Sequence, residues 1–325
     1  MESTVLVLGA LVGSLAVLII GAERFTHCAE KIGISMGLPG FIVGVLIISL
    51  GTSLPEMISS IFAVIKGSPT IVAGSVVGSN VTNTFLVLGV AFLFFKEKYV
   101  KIDLIDIDLP FLLTATLLFV FMCYDGDYSW ADGIFSLFGA ALYIVSTLKR
   151  NPEGAEESKG DGESKDESED EVIKVTPLTY GLLIASAVML YFGGEWTVEY
   201  INKAAEIFKI NQGVVAGTAV ALAASLPELL ISAQFAAKGK LDVALGNVVG
   251  AGIFNCLVVM GLSSFFGPSG HLKIAPETIT HGLPMMLAAV IVFIFVTIDK
   301  RPSKVEGGLF LMFYVYYLGD LIGWL

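Results

Sequence analysis

Two ten-residue stretches of the chain are copies of each other. GTSLPEMISS occupies residues 51–60 and AASLPELLIS occupies residues 223–232, which pairs Glu56 with Glu228. The same spacing along the chain, without a gap, relates further identical pairs: Glu23 and Glu195, Gly74 and Gly246, Gly78 and Gly250, Asn83 and Asn255, and Gly89 and Gly261. Beyond this range the register slips by two residues, because Pro110 corresponds to Pro284. The sequence therefore predicts two halves with the same fold, each containing one copy of the motif.

The composition indicates that both halves lie in a membrane. Hydrophobic residues make up 55% of the chain and charged residues only 15%, against about 25% charged residues in soluble domains. Apolar runs of about 20 residues are long enough to cross the hydrocarbon core as helices. Ten such runs occur, at about residues 4–22, 38–65, 70–95, 108–124, 128–148, 176–194, 210–237, 241–266, 282–298 and 306–324. We predict an all-α polytopic membrane protein with ten transmembrane helices.

Each half contains five spans, and an odd number has a topological consequence. The second half must enter the membrane from the opposite side, so the two repeats are predicted to be inverted, with a binding site near the midplane on interrupted helices. We predict a first five-helix repeat at 1–150 and a second at 176–325. Residues 151–175 form an acidic linker with ten carboxylates between Glu153 and Glu171, which is too polar to fold alone.

Lysine and arginine residues predict the orientation of the spans. Fifteen of the 19 Lys and Arg residues fall on the side reached after the odd-numbered spans. The other side holds only Lys66, Lys203, Lys209 and Lys273. Because cytoplasmic loops carry the excess of basic residues, the acidic linker is predicted to be cytoplasmic and both termini extracellular, in a multi-pass protein of the cell membrane.

The repeated SLPE motif predicts a cation site. A proline inside a helix frees a backbone carbonyl, which in lipid needs another partner. Ser53 and Glu56 flank the first proline, and Ser225 and Glu228 flank the second, so each motif gathers hydroxyl, carbonyl and carboxylate oxygens within about one helical turn. Oxygen ligands suit hard cations, and Ca²⁺ accepts about six to eight of them in tolerant geometry. Two glutamates match one Ca²⁺ in charge.

The third and eighth spans contribute further polar residues. GSVVGSNVTNTF occupies 74–85 and GNVVGAGIFNCL occupies 246–257, and in each the glycines are four residues apart, which lets helices approach closely. Asn83 and Asn255 hold matching positions. Ser79 has no hydroxyl-bearing counterpart, because the second copy has Ala251 there. The predicted site is therefore asymmetric.

These motifs resemble a known family. GTSLPE followed by GSVVGSNVTN, and SLPE followed by GNVVGAGIFN, are similar to the two alpha repeats of prokaryotic members of the sodium/calcium exchanger family, within the cation/calcium exchanger superfamily. The resemblance implies a core of spans 2, 3, 7 and 8 with spans 4, 5, 9 and 10, across which spans 1 and 6 slide to alternate access. It implies that Glu56 and Glu228 are the main Ca²⁺ ligands and that Thr52 serves both Ca²⁺ and Na⁺. The remaining implied ligands, mainly for Na⁺, are Ser53, Ser79, Ser225, Asn83 and Asn255.

Three departures from the family pattern leave the coupling ion open. Ala224 stands where a hydroxyl would match Thr52, Ala251 stands where a serine is common, and Asn255 replaces the aspartate of many members. Lost hydroxyls weaken Na⁺ sites more than a Ca²⁺ site, because Na⁺ carries less charge. A Ca²⁺/Na⁺ antiporter is the first hypothesis, and an H⁺/Ca²⁺ antiporter with the same glutamates as proton carriers is the alternative.

Other functional classes fit the sequence less well. A single SLPE motif is compatible with a kinked structural helix, but two copies at one offset favour a shared function. A channel would build its pore from several subunits, whereas this chain contains its own inverted repeat, so we expect it to work as a monomer. A hydrolase would need a nucleophile and a base. We therefore predict a transporter, not an enzyme, in the lipid bilayer, with Ca²⁺ and Na⁺ or H⁺ as transported ions, no cofactor and no nucleic acid.

Two further sequence features carry structural expectations. Asp103, Asp106 and Asp108 alternate along the chain but lack the glycine and terminal glutamate of an EF-hand loop. A solvated face is the preferred interpretation of these aspartates. Glu23 and Glu195 are paired by the repeat but lie near span ends, where interfacial solvation is expected.

Overall fold

The computed structural model describes residues 4–38, 40–65, 67, 69–95, 108–149, 175–207, 212–298 and 300–321. These residues form ten helices: α1 (Thr4–Ser35), α2 (40–65), α3 (Thr70–Phe94), α4 (Asp108–Cys123), α5 (Trp130–Lys149), α6 (Pro177–Ile207), α7 (Gln212–Ala237), α8 (Leu241–Ser264), α9 (Thr278–Thr297) and α10 (Lys304–Leu321). Two short strands, β1 (Asp127–Ser129) and β2 (His271–Lys273), pair in antiparallel fashion.

The helices have the length and hydropathy of a membrane protein. Within the described residues, six helices are long and apolar enough to cross a membrane, and the bent helix α2 makes a seventh. Helices α1 and α6 are 32 and 31 residues long, so they continue well beyond the apolar runs predicted at 4–22 and 176–194. The polar residues that follow each apolar run are compatible with helix, and a hydropathy window does not detect them. The predicted polytopic all-α fold is confirmed.

Packing between the two halves shows that they run in opposite directions. Gly21 of α1 packs against Leu190 of α6, and Thr197 of α6 donates a 3.1 Å hydrogen bond to Ser14, so these helices are antiparallel. A Cβ on Gly246 of α8 would lie 2.3 Å from the Phe41 carbonyl oxygen of α2, and one on Gly250 would lie 2.6 Å from that of Val45. Because residue numbers increase in the same direction along the two helices from one contact to the next, α2 and α8 are parallel. Antiparallel α1 and α6 with parallel α2 and α8 are the geometry of an inverted repeat.

A second pair of contacts shows the internal symmetry directly. The Gly89 carbonyl oxygen of α3 lies 2.8 Å from the Cβ position of Gly307 in α10, and the Gly261 carbonyl oxygen of α8 lies 2.8 Å from that of Gly133 in α5. The separation of Gly133 and Gly307 along the chain exceeds that of Gly89 and Gly261 by two residues. The two-residue register slip in the sequence is therefore a real feature of the fold. Each half packs one of its central helices on the last helix of the other half.

The two strands join the α4–α5 connection to the α8–α9 connection. Asp127 Oδ2 lies 2.9 Å from His271 Nδ1 and 3.3 Å from Lys273 Nζ. Tyr128 is fully buried, and its hydroxyl lies 2.6 Å from Ser136 Oγ. Burial raises the pKa of the Tyr128 phenol, which therefore stays protonated. This strand pair, called the strand clasp below, links an interhelical connection of the first half to one of the second half.

Two sequence expectations have different outcomes. Asp108 was predicted on a solvated face, but it is buried, with 1% of its surface exposed, and Tyr143 OH donates to it at 3.3 Å. The prediction was wrong because charge alternation in sequence does not reveal a tyrosine on a neighbouring helix. Asp103 and Asp106 lie outside the described residues, as does the predicted acidic linker except for its last residue.

Candidate ion-binding site

The two SLPE motifs lie inside helices α2 and α7. Segments Val43–Leu54 and Glu56–Ile65 of α2 meet at an angle of 44°, and α7 remains helical around Pro227. The sequence predicted interrupted helices. This prediction is confirmed for α2, which is broken at Pro55, whereas α7 continues as one helix through Pro227. Each proline still lacks an N–H, so the carbonyls of Gly51 and Ala223, four residues earlier, lose their helical donors.

Helices α3 and α8 both change their winding at the matched asparagines. A π-helical turn spans Asn83–Val87 in α3 and a second spans Asn255–Val259 in α8. The two turns begin at positions that the repeat pairs with each other. Single π-turns inside α-helices are rare and are found mostly at functional sites. The wider turn changes the direction of the residues that follow each asparagine and marks the same place in both halves.

All eight predicted site residues lie in the interior of the protein. Their exposed fractions are 9% or less: Thr52 3%, Ser53 4%, Glu56 9%, Ser79 4%, Asn83 2%, Ser225 1%, Glu228 2% and Asn255 0%. Burial of this many polar groups is uncommon unless they share hydrogen bonds or bind a ligand. By contrast, the paired glutamates Glu23 and Glu195 are exposed.

Hydrogen bonds connect the first glutamate to α3. Ser79 Oγ donates to Glu56 Oε1 at 2.7 Å, and Ser75 Oγ donates to the same oxygen at 3.3 Å. The side chain of Asn255 in the second half also lies near Glu56. The Glu56 carboxylate is therefore held by α3 and faces a residue of the second half.

The second glutamate has fewer partners. The Thr52 hydroxyl donates to the carbonyl oxygens of Ile48 and Ser49 on its own helix at 3.2 Å and lies near Glu228. The negative charge of Glu56 repels that of Glu228. No ion pair of the described residues involves either glutamate. Removing an ionised carboxylate from water costs several kcal/mol unless a counter-charge compensates for it. Two such groups that repel each other therefore favour binding of a cation.

Several buried oxygens in this region have no hydrogen-bond partner in the described part of the chain. They are Ser53 Oγ, Asn83 Oδ1, Ser225 Oγ, Glu228 Oε2 and Asn255 Oδ1. A buried polar atom without a partner costs about 1–3 kcal/mol. Four of the five form pairs related by the repeat, so hydrogen-bond partners are missing at equivalent places in both halves. Oxygens without donors are the ligands that a hard cation requires.

Three further polar residues in this region were not among the predicted ligands. Ser75 contacts Glu56, as described above, and Asn80 is 5% exposed and contacts α8. Asn247 is fully buried; its Nδ2 donates to Ser232 Oγ at 3.0 Å, and its Oδ1 has no partner among the described residues. Asn80 and Asn247 lie within the two glycine motifs, so their position in the motif was the available signal.

The donor set is rich in neutral oxygens and poor in charge. The described residues contain no group of three or more His, Cys, Asp or Glu side chains suited to hold a metal ion. Two carboxylates with hydroxyl and amide oxygens instead suit a hard, mobile cation. Ala251 is fully buried in α8 and contributes no oxygen, while the Ala224 side chain lies outside the described residues.

Comparison with known proteins gives a consistent result. A sequence model of the family described as sodium/calcium exchanger protein matches residues 6–149 and again residues 178–322. The chain is similar to the inner membrane protein YrbG of Escherichia coli, with 30% identity over 91% of this chain and 90% of that protein. It is also similar to the sodium/calcium exchanger MaX1 of Methanosarcina acetivorans, with 30% identity over 94% and 95% of the two chains.

The fold is likewise similar to a solved structure. The sodium-calcium exchanger NCX_Mj, soaked with Na⁺ and Ca²⁺, superposes with a TM-score of 0.77 at 25% identity over 98% of this chain and 99% of that chain. The two matches to the family model correspond to the two halves that the repeat defines.

Proposed function

The chain belongs to the sodium/calcium exchanger family, and on this basis we propose that it is a secondary-active antiporter that exchanges Ca²⁺ for Na⁺. The family membership itself makes the chain a membrane cation exchanger. The finer assignment rests on one observation in particular: two buried glutamates from opposite halves lie among oxygen atoms that lack donors.

In the proposed site, Glu56 and Glu228 are the main Ca²⁺ ligands. Thr52 lies near Glu228 and supplies oxygen to Ca²⁺ or Na⁺. Ser53, Ser79, Ser225, Asn83 and Asn255 complete the neighbouring positions, mainly for Na⁺. The two carboxylates bring a charge of −2, which one Ca²⁺ or two Na⁺ ions neutralise.

Charge balance explains why the site would exchange ions instead of leaking them. With no cation, two buried negative charges face each other, and carrying them across the bilayer centre is costly. With one Ca²⁺ or two Na⁺ bound, that cost is removed. Alternation between the two sides is therefore permitted for the loaded site and blocked for the empty one, which is the rule of an antiporter.

We further propose that α1 and α6 move against the other helices. They pack against each other through Gly21 and Gly193, where a Cβ would come within 3.2 Å of backbone atoms. Close backbone contact at these glycines holds α1 and α6 together, which supports their movement as one unit. The chain would work as a monomer in the cell membrane, with both termini outside and the acidic linker, 151–175, in the cytoplasm between repeats 1–150 and 176–325.

Proton coupling is the second candidate. Glu228 Oε2 has no hydrogen-bond partner among the described residues, and a bound proton would neutralise the buried carboxylate. Ala251 adds no hydroxyl for Na⁺. In this alternative the same two glutamates would carry protons in exchange for Ca²⁺.

Uptake of radiolabelled Ca²⁺ into proteoliposomes separates the two candidates. One set is given an outward Na⁺ gradient, and the other an outward H⁺ gradient at constant Na⁺. Sodium coupling predicts uptake in the first set only, and proton coupling in the second only. Uptake that needs neither gradient would overturn the antiporter assignment.

Glutamine variants test the site. Glu56→Gln and Glu228→Gln each remove one charge while keeping the side-chain shape, so both are expected to abolish Ca²⁺ exchange in folded protein. Glu195→Gln is the matched control, because it makes the same substitution at an exposed glutamate of α6 that lies near a span end. Normal exchange by either of the first two variants would refute the assigned ligands.

A further inference from the structure

Asn80 is a buried residue of α3 that makes no contact with either glutamate among the described interactions. Its Nδ2 donates to Cys256 Sγ at 3.1 Å, and the Gly252 carbonyl oxygen and Met286 Sδ each lie 3.5 Å away. Its Oδ1 accepts a hydrogen bond from Asn255 Nδ2 at 3.3 Å. The side chain therefore reaches from the first half into the second.

The orientation of the Asn255 amide decides what it can bind. A carboxamide has an oxygen that can coordinate a cation and an NH₂ group that cannot. A carboxylate has oxygen on both sides and needs no such choice. At position 255, a group outside the ion site must therefore accept a hydrogen bond from the NH₂ and hold it away from the ion. Without such an acceptor, the amide could turn its NH₂ instead of its oxygen toward the cation.

Asn80 Oδ1 supplies that outside group, because among the described residues it is the hydrogen-bond acceptor of the Asn255 NH₂, whereas Glu56 only lies near this amide. It accepts one Asn255 hydrogen, while Asn255 Oδ1 stays buried and without a partner among the described residues. Asn80 is itself fixed, because its own NH₂ faces sulfur and carbonyl acceptors on α8 and α9. A rotated Asn80 would place its NH₂ against that of Asn255 and its oxygen against these acceptors.

Only the first half has an asparagine at this position of the repeat. The position that corresponds to Asn80 in the second half is Gly252. A Cβ on Gly252 would lie 2.9 Å from Leu112 Cδ1 and 4.0 Å from Asn80 Oδ1. A side chain longer than that of alanine at position 252 would therefore reach the space that the Asn80 side chain occupies.

We propose that Asn80 is a positioning residue that orients the Asn255 amide so that its oxygen faces the transported ion. This inference rests on the proposed function, because it takes Asn255 as an ion ligand. Asn80 itself does not coordinate the ion. Its role is to orient a neutral amide as an ion ligand, whereas a carboxylate at the same position would need no orienting group.

The test is a comparison of one substitution in two backgrounds. Asn80→Ala removes the acceptor and is expected to raise the Ca²⁺ or Na⁺ concentration for half-maximal exchange by about tenfold, which corresponds to about 1.4 kcal/mol. In the Asn255→Asp background the same substitution is expected to change these concentrations by less than about twofold, since a carboxylate has no wrong orientation. Asn80→Leu keeps the side-chain volume and provides the comparison if the alanine variant does not fold.

Each outcome has one meaning. A tenfold loss in the Asn255 protein and near-normal affinity in the Asn255→Asp protein supports the positioning role. Equal losses in both backgrounds would show that Asn80 contributes only packing, and unchanged affinity in the first background would overturn the proposal equally. Glu56→Gln is measured in parallel: if that variant exchanges Ca²⁺ normally, the site assignment itself fails, whereas its loss of exchange alongside an unaffected Asn80→Ala variant refutes the positioning role alone.

Discussion

Replacing Gly250 with alanine should displace the helix that carries the first glutamate. The new Cβ would lie 2.6 Å from the Val45 carbonyl oxygen of α2 and 2.8 Å from Ser49 Cβ, and it would also clash with Ser49 Oγ. The Ser49 hydroxyl can rotate away, but Ser49 Cβ and the Val45 carbonyl oxygen move only with the backbone. Ordinary contact begins at about 3.4 Å, so α2 would have to retreat by about 0.8 Å at this point.

A displacement of this size is large for the site. Thr52, Ser53 and Glu56 follow on the same helix within about three turns of Val45. Ca²⁺ accepts oxygen distances of about 2.3–2.6 Å, a range that is less than half as wide as the shift. Overpacking costs about 1–3 kcal/mol, and alanine returns up to about 1 kcal/mol of helix propensity. We therefore expect a net loss of stability of up to about 2 kcal/mol and a much larger loss of Ca²⁺ affinity.

The measurement pairs thermal unfolding of the purified protein, with and without Ca²⁺, with Ca²⁺ uptake into proteoliposomes. Gly308→Ala is the control, because this exposed glycine of α10 has no described atom within 4 Å of its Cβ position. It should transport normally and unfold at the same or a higher temperature. If Gly250→Ala keeps full Ca²⁺ affinity, the close packing of α2 on α8 does not hold the site in place and the reasoning fails.

Three other substitutions test separate parts of the structure. Ser79→Ala removes the 2.7 Å hydrogen bond to Glu56; because a bond to a charged group contributes about 1.5–3 kcal/mol, half-maximal Ca²⁺ uptake should need at least about tenfold more Ca²⁺. Ser75→Ala, with its 3.3 Å contact, should do less, and equal effects would contradict this ranking. Ala251→Ser adds a hydroxyl at a buried position of α8 and should lower the Na⁺ concentration that drives half-maximal exchange; no change in a sodium-driven protein would show that the missing hydroxyl is irrelevant. Asp127→Asn loosens the strand clasp and should cost no more than about 1 kcal/mol of unfolding free energy, because its partners are largely exposed; lost transport would mean that the clasp takes part in exchange.

Much of the fold follows from the sequence because lipid restricts the solutions. Backbone groups must be satisfied within each segment, so the apolar runs could only be helices. A repeat with an odd number of them could only be inverted. The two-residue slip between Pro110 and Pro284 also relates Gly133 to Gly307, which hold equivalent places in the α5–α8 and α3–α10 contacts. Ser53 and Ser225, and likewise Asn83 and Asn255, were predicted as site residues, and each pair leaves an oxygen without a partner among the described residues.

The remaining features depend on contacts between distant parts of the chain. The burial of Asp108 follows from Tyr143, 35 residues later, and no local pattern connects them. The contacts of Ser75 with Glu56 and of Asn80 with Asn255 depend on how α3 packs against α2 and α8. Helix α1 ends at Ser35 instead of near residue 22 because polar residues extend a helix without extending its apolar run. For Asp108, Ser75 and Asn80, the sequence shows the residue but not the side chain that it contacts.

The meeting of Asn80 with Gly252 limits how the two halves could be interchanged. A chain built from two copies of the first half would bring two asparagine side chains to a place that holds one. A chain built from two copies of the second half would leave that place empty and the amide of Asn255 without its acceptor. Although the halves share one architecture, they are complementary like the two parts of a heterodimer, and a swapped or duplicated half would yield a folded bundle with a defective centre.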